Sequence, residues 1–149
     1  QLFGLGVWIE AADYLRKDDY NEYQTLIGID YTFENGLYLM CEFLINSRGS
    51  KDKSYTINDW LAYFERPNAV LGKSYLMIGE RYQITDLINW ENYVIYNLAD
   101  NSGVFYPSLF VSLSNNTELS LMPYVPFGSD RSEFGEFNTG GIFRFKLYF

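Results

Sequence analysis

Alternation of apolar and polar side chains recurs along almost the whole of this chain, and it leaves few folds open. The last nine residues, GIFRFKLYF, show it clearly. Phe143, Phe145, Leu147 and Phe149 fall on one side of an extended strand, and Ile142, Arg144, Lys146 and Tyr148 on the other. A period of two means β-strand, because successive side chains of a strand point to opposite faces.

The same period marks most other segments. In 24–33, Thr25, Ile27, Ile29, Tyr31 and Phe33 oppose Gln24, Gly28, Asp30 and Thr32. In 37–46, Leu37, Leu39, Cys41, Phe43 and Ile45 oppose Tyr38, Met40, Glu42, Leu44 and Asn46. Segment 104–114 separates Phe105, Leu109, Val111 and Leu113 from Tyr106, Ser108, Ser112 and Ser114. Segment 118–127 separates Leu119, Leu121, Val125 and Phe127 from Glu118, Ser120 and Tyr124. Near the start, Leu5, Val7 and Ile9 oppose Gly4, Gly6, Trp8 and Glu10. The register of 74–85 and 88–100 is open: either Glu80 or Arg81 must share the apolar side.

About eight strands follow, at 2–14, 23–33, 37–48, 74–85, 88–100, 104–115, 117–128 and 138–149. Each has the length of a tilted strand that crosses a bilayer, ~9–11 residues or more. The fold class expected is all-β, an antiparallel up-and-down transmembrane β-barrel, in one unit over 1–149. Asn35-Gly36 predicts a tight hairpin in which both residues take positive φ. Connections at 34–36, 86–87 and 115–117 are tight, and "NSG" at 101–103 is short. Those at 15–22, 49–73 and 129–137 are longer and carry most of the charge. Within 49–73 a short helix is expected at 58–65, capped by Asn58 and ended by Pro67, with Trp60, Leu61 and Phe64 buried against the barrel. Pro107, Pro123 and Pro126 each remove a ladder donor and predict local irregularity.

Composition removes several kinds of function. The chain has 149 residues, no His and a single Cys, Cys41. His-based catalysis, zinc clusters and internal disulfides are therefore out. A net charge of −8 argues against nucleic acid, whose phosphates call for a basic surface. No segment has the spacing of a nucleophile elbow, a phosphate loop or a dinucleotide fingerprint, so no catalysis and no cofactor are expected. The acidic run at 16–22 lacks the ligand spacing of a calcium loop and reads as a solvated connection. The mean hydropathy of −0.17 decides nothing, because a barrel strand shows lipid only at every second residue. The chain starts at Gln1 without a Met, which suggests a removed segment or an internal start.

At its end the chain resembles the outer-membrane β-barrel proteins of Gram-negative bacteria, porin-like members included. Their last strand typically finishes on Phe with apolar residues at alternate positions before it; Phe143, Phe145, Leu147 and Phe149 match. Arg144 stands where the family commonly has a small residue. DYTFENGLY, 30–38, is similar to a periplasmic hairpin of porin-like barrels. The resemblance implies a bacterial outer-membrane location, lipid as surroundings, and a barrel-assembly machinery that reads Phe145, Leu147 and Phe149. With Phe149 at the periplasmic end, the three tight turns fall inside and 49–73 lies on the outer side. The last strand is then expected to pair with the first strand of the barrel.

Parity makes Glu10, Asp30, Glu42, Glu91, Arg144 and Lys146 candidates for the lumen, with the acids pairing across it with the two cations. Trp8, Tyr14, Tyr31, Trp90 and Tyr148 are candidates for interfacial girdles, although parity puts Trp8 and Tyr148 inside. Three readings follow. One is a passive porin-like channel, or its C-terminal part, that passes small polar solutes or ions. The second is a complete eight-stranded barrel with a packed interior and a structural or binding role. The third is a soluble ligand-binding barrel of lipocalin type.

Overall fold

The computed structural model describes residues 4–14, 22–64 and 70–149. Eight strands follow one another: β1 (Leu5–Tyr14), β2 (Glu22–Thr32), β3 (Tyr38–Asn46), β4 (Ser74–Thr85), β5 (Ile88–Asn97), β6 (Ser102–Ser114), β7 (Thr117–Phe127) and β8 (Gly140–Leu147). Each pairs antiparallel with its sequence neighbour, which gives one up-and-down sheet in the order β1 to β8. One helix, α1 (Ile57–Phe64), interrupts the pattern. The sheet is open. No pairing joins β8 to β1 among the described residues, so the closure expected between last and first strands is not made.

The register carries the alternation across all eight strands. Residues directly opposite in an antiparallel pair point to the same face. Ile9↔Ile27↔Phe43↔Leu76↔Tyr96 runs over β1 to β5 on one face, and Val111↔Leu119↔Phe145 continues it over β6 to β8. The other face carries Trp8↔Gly28↔Glu42↔Met77↔Ile95. Register also settles β4: Glu80 opposes Leu39 and Asn92 and so lies on the apolar face, while Arg81 opposes Tyr38 and Glu91 on the polar one.

Tight connections sit at one end of the sheet and long ones at the other. The tight end holds 33–37, 86–87 and 115–116; the long end holds 15–21, 47–73, 98–101 and 128–139. The short connection is 98–101 rather than 101–103: Asn101, at φ 59, makes the turn, and Ser102 and Gly103 already belong to β6. In the 33–37 hairpin only Gly36 has positive φ, at 83°. The Gly36 N–H donates to Phe33 O at 2.9 Å and the Phe33 N–H to Leu37 O at 2.8 Å. This is a three-residue loop closed by a left-handed glycine, not the two-residue turn with both residues left-handed.

Pro107 and Pro123 disturb the sheet at one place. The β6–β7 pairing stops after Phe105↔Val125 and resumes at Leu109↔Leu121. The two prolines stand opposite each other inside that gap, so both missing donors fall on the same three-residue stretch. Pairing continues on the outer sides, at Asn92↔Pro107 and Pro123↔Gly141. On the polar face the gap is spanned by the rings of Tyr106 and Tyr124, 6.4 Å apart.

The sheet has almost no apolar core of its own. The buried apolar residues among those described are Tyr55, Leu71, Tyr75 and Val104, all near the long-connection end. The chain exposes 10237 Å². A compact monomer of 17.4 kDa exposes roughly 7,900 Å². An unclosed sheet with two open faces adds to that surface.

Candidate functional site

The apolar face is a continuous band. Val7 is 65% exposed, Ile9 69%, Phe143 68% and Phe145 57%, and Ile27, Ile29, Phe43, Ile78, Leu121 and Leu147 on the same face are also open. Aromatic residues edge the band. Tyr31, Tyr82 and Trp90 lie toward the tight turns, and Tyr23, Tyr96 and Phe127 toward the long connections. Tyr23 to Tyr31 spans eight residues, ~26 Å along the strand. A strand tilt of ~40° would leave ~20 Å of height, comparable with the apolar band of a membrane barrel. Glu80 and Asn92 interrupt it side by side, one register step from Tyr82 and Trp90. Trp8 belongs to the polar face by register, Tyr148 hydrogen-bonds a residue of that face, and the side chain of Tyr14 lies outside what is described.

The polar face gathers the six residues singled out by parity. Glu10, Asp30, Glu42, Glu91, Arg144 and Lys146 all project from it by register. Their partners differ from those expected. Lys146 Nζ lies 3.9 Å from Glu118 Oε2 on the neighbouring strand, with both side chains about half exposed, and Tyr148 Oη donates to the same carboxylate at 2.9 Å. Parity places Glu118 on the polar side with the other acids, and register adds that it lies in the adjacent strand directly opposite Lys146. Arg144 faces Ser120 and has no ion pair or side-chain hydrogen bond among the described residues. Asp30 accepts the Gly6 N–H at 3.1 Å and the Tyr38 hydroxyl at 3.1 Å, and the Arg81 guanidinium lies 5.0 Å over the Tyr38 ring. Among the described residues the ion pair and hydrogen bonds of Lys146 and Asp30 are therefore made with groups on adjacent strands, not across the face.

A Cβ built on Gly28 would collide with the Trp8 indole, so that indole lies flat across the glycine. Trp8, Gly28 and Glu42 share one register row, so the indole crosses the glycine in the direction of Glu42. Only a residue without a side chain lets the ring cross that strand.

At the long-connection end, residues of the 47–73 and 128–139 loops fold onto the polar face through a buried polar network. Glu133, 6% exposed, comes from the 128–139 loop. Its Oε2 accepts from Tyr75 Oη at 2.5 Å and from Asn97 Nδ2 at 2.8 Å, and its Oε1 from the Leu71 N–H at 3.4 Å. Asn97 Nδ2 also donates to Tyr55 Oη at 2.9 Å, and Asn97 Oδ1 accepts the Ala99 N–H. Asp100 takes the Glu133 N–H at 2.7 Å and both the N–H and hydroxyl of Ser102. Burial pushes the Glu133 carboxyl above its ordinary value of 4.5, and the Asp100 charge adds to the push, against the pull of the three donors. Burial likewise raises the Tyr55 hydroxyl well above its usual value, so it stays protonated.

α1 rests over this region. Its cap is Thr56, not Asn58: Asp59 Oδ2 accepts the Thr56 N–H at 2.7 Å, and the Asp59 N–H turns back to Thr56 Oγ1 at 3.4 Å. This is the reciprocal capping box with Asp in the third helical position. Trp60 packs edge-on to Phe137, 6.1 Å between ring centres. Leu61 and Phe64, expected to be buried, are 56% and 76% exposed. Pro67 and residues 16–21 of the acidic run lie outside the described residues.

Beneath α1 and the two loops the polar face keeps a cavity of about 280 Å³. Its sheet wall is Leu26, Glu42, Leu44, Tyr75, Met77 and Ile95, and Tyr63, Val70, Glu133 and Phe134 complete it. Among the described residues no group of His, Cys, Asp and Glu is arranged to hold a metal ion. Comparison with family models, with curated proteins and with solved structures finds no match to this chain.

Proposed function

We propose that this chain forms part of the wall of a passive, porin-like pore in a bacterial outer membrane. Its apolar face lies against lipid, and its polar face lines an aqueous passage for small polar solutes or ions. The observation that carries this reading is the segregation of exposed side chains by face. A bilayer tolerates such a sheet because the apolar face replaces contacts with water by contacts with acyl chains. In water the same face would be an apolar patch far beyond the few hundred Å² a soluble monomer shows.

Two further features fit. Among the described residues both outer edges, that of β1 and that of β8, are unpaired, and unpaired backbone groups are untenable inside a bilayer. The open sheet and its large surface favour a place within a larger closed barrel over a complete eight-stranded one, whose interior would be filled by side chains. The 47–73 connection, with α1, folds over the polar face and narrows the passage there. Glu80 and Asn92 lie near the edge of the apolar band, where a polar group costs only ~0–1 kcal/mol. The role is that of a channel wall without catalysis, cofactor or nucleic-acid partner, delivered to the membrane by an assembly machinery that reads Phe145, Leu147 and Phe149.

The test is conductance of the native-length protein in planar bilayers. Discrete channels are expected, and the double substitution Arg144→Glu with Lys146→Glu should shift the reversal potential toward cation preference, because charges lining a narrow passage act strongly. Silence of the folded, inserted protein would defeat the channel reading. Conductance unaltered by the double reversal would remove these two residues from the passage.

A further inference from the structure

The cavity under α1 is out of character for a water-lined surface. Its sheet wall puts Leu26, Leu44, Met77 and Ile95 on the same face as Glu10, Glu42 and Glu91. One reason for apolar residues there is packing against the loops. Packed interiors, however, leave few voids larger than a water molecule. Here about 280 Å³ remains open between the wall and Tyr63, Val70 and Phe134. The loops are held off the wall by the Glu133–Tyr75–Asn97 network, which fixes their height above the sheet.

The charge at this cavity is one-sided. Both oxygens of Glu133 are engaged by the Leu71 N–H, the Tyr75 hydroxyl and the Asn97 amide, so that carboxylate is structural. Glu42 is different. It lines the cavity, and Glu10 projects from the neighbouring register row of the same face. A carboxylate that shares its face with a second acid and stands at the margin of apolar walls has acceptor capacity to offer. It favours a positive group, and the low-dielectric walls strengthen that preference. Tyr63 also lines the cavity, and an aromatic ring beside a cation attracts it.

We infer that the cavity bounded by Leu26, Leu44, Met77, Ile95 and Tyr63 is a binding site for a small organic cation, an amine with an apolar body, whose ammonium group meets Glu42. The apolar body occupies the space over Met77 and Ile95. The inference deepens the pore reading by giving the passage a preferred class of solute. It rests on that reading only for transport, because binding itself needs no open passage.

The experiment measures binding at equilibrium on the full chain in lipid nanodiscs, with phenethylammonium as the probe and 2-phenylethanol as its neutral counterpart. Tryptophan emission is the readout, and a Trp8→Phe variant shows whether the responding indole is the one in the register row of Glu42. The cation is expected to saturate the signal at a concentration at least about tenfold below the alcohol, a preference that one carboxylate in apolar surroundings supplies. Glu42→Gln should bring the two to within about twofold while leaving the alcohol's binding unchanged. Met77→Trp, which fills the cavity, should abolish both, and Leu26→Phe serves the same end if Met77→Trp does not fold. Equal binding of cation and alcohol, no saturable binding, or a preference that survives Glu42→Gln would each overturn the inference. Conductance without binding removes this site and leaves the pore; binding without conductance does the reverse.

Discussion

The two ends of the sheet are built on different principles. At the tight-turn end each connection is closed by residues adjacent in sequence. Gly36 supplies the left-handed position, the Thr85 hydroxyl accepts the Leu87 N–H at 3.3 Å, and the Ser114 hydroxyl the Asn116 N–H at 3.3 Å. At the long-connection end the bonds that matter join residues far apart. Tyr75 to Glu133 spans 58 positions and Asn97 to Tyr55 spans 42. The first end is a set of separate small closures, each failing alone. The second is one connected network, in which removing a member strands its neighbours in a place water does not reach.

The sharpest way to break this contrast is Asn97→Leu. The substitution removes the amide that Glu133, Tyr55 and the Ala99 N–H all use, in a position that is fully buried. A loss of ~2–4 kcal/mol is expected, because several buried polar groups lose partners together. Urea unfolding in detergent micelles reads the total. Amide exchange locates it: protection should fall at 70–73 and 132–135 and hold at 33–37. Uniform loss at both ends would mean that the sheet, not the network, carries the effect.

A gentler probe uses acid. Folded Glu133 holds its proton more tightly than the unfolded chain does, since burial raises its carboxyl above 4.5. Its contribution to the long-connection end is therefore fully present below that ordinary value and is lost as pH rises through the raised one. Protection at 132–135, taken relative to the intrinsic exchange rate at each pH, should fall over that rise in the native chain. In Glu133→Gln the same protection should stay flat. The opposite slope in the native chain would show that the three donors outweigh burial.

The smallest effect is expected at the other end. Gly36→Ala meets nothing within 4 Å, so only the left-handed backbone resists it. About 1 kcal/mol should be lost. Exchange should rise within 33–37 alone, with no change at 70–73. A response at the far end would contradict the independence of the tight turns.

The same contrast separates what is legible in the amino-acid sequence from what is not. Strand positions, the two faces and the uneven connections are legible because each follows from residues two apart or from local turn chemistry. The choice between Glu80 and Arg81 is not, since a single strand does not reveal its register; Leu39 and Asn92 opposite Glu80 decide it. Sequence also favours the wrong helix cap, because Asn58 caps as well as Thr56 two positions earlier, and only Asp59 folding back selects between them. Asn46, Asn97, Asp100 and Glu133 read as ordinary solvated loop and strand-end residues. Their burial depends on contacts across the chain that no local pattern announces. The pairing of Lys146 with Glu118 is hidden in the same way.

The gap at Pro107 and Pro123 gives the sheet a mechanical character. Ladder hydrogen bonds are the links that resist bending between neighbouring strands, and here one run of them is missing. With that run missing, β6 and β7 can crease against each other along this seam more readily than where their ladder is continuous. Tyr106 and Tyr124, facing each other over the seam, act as a stop that sets how far the crease can close.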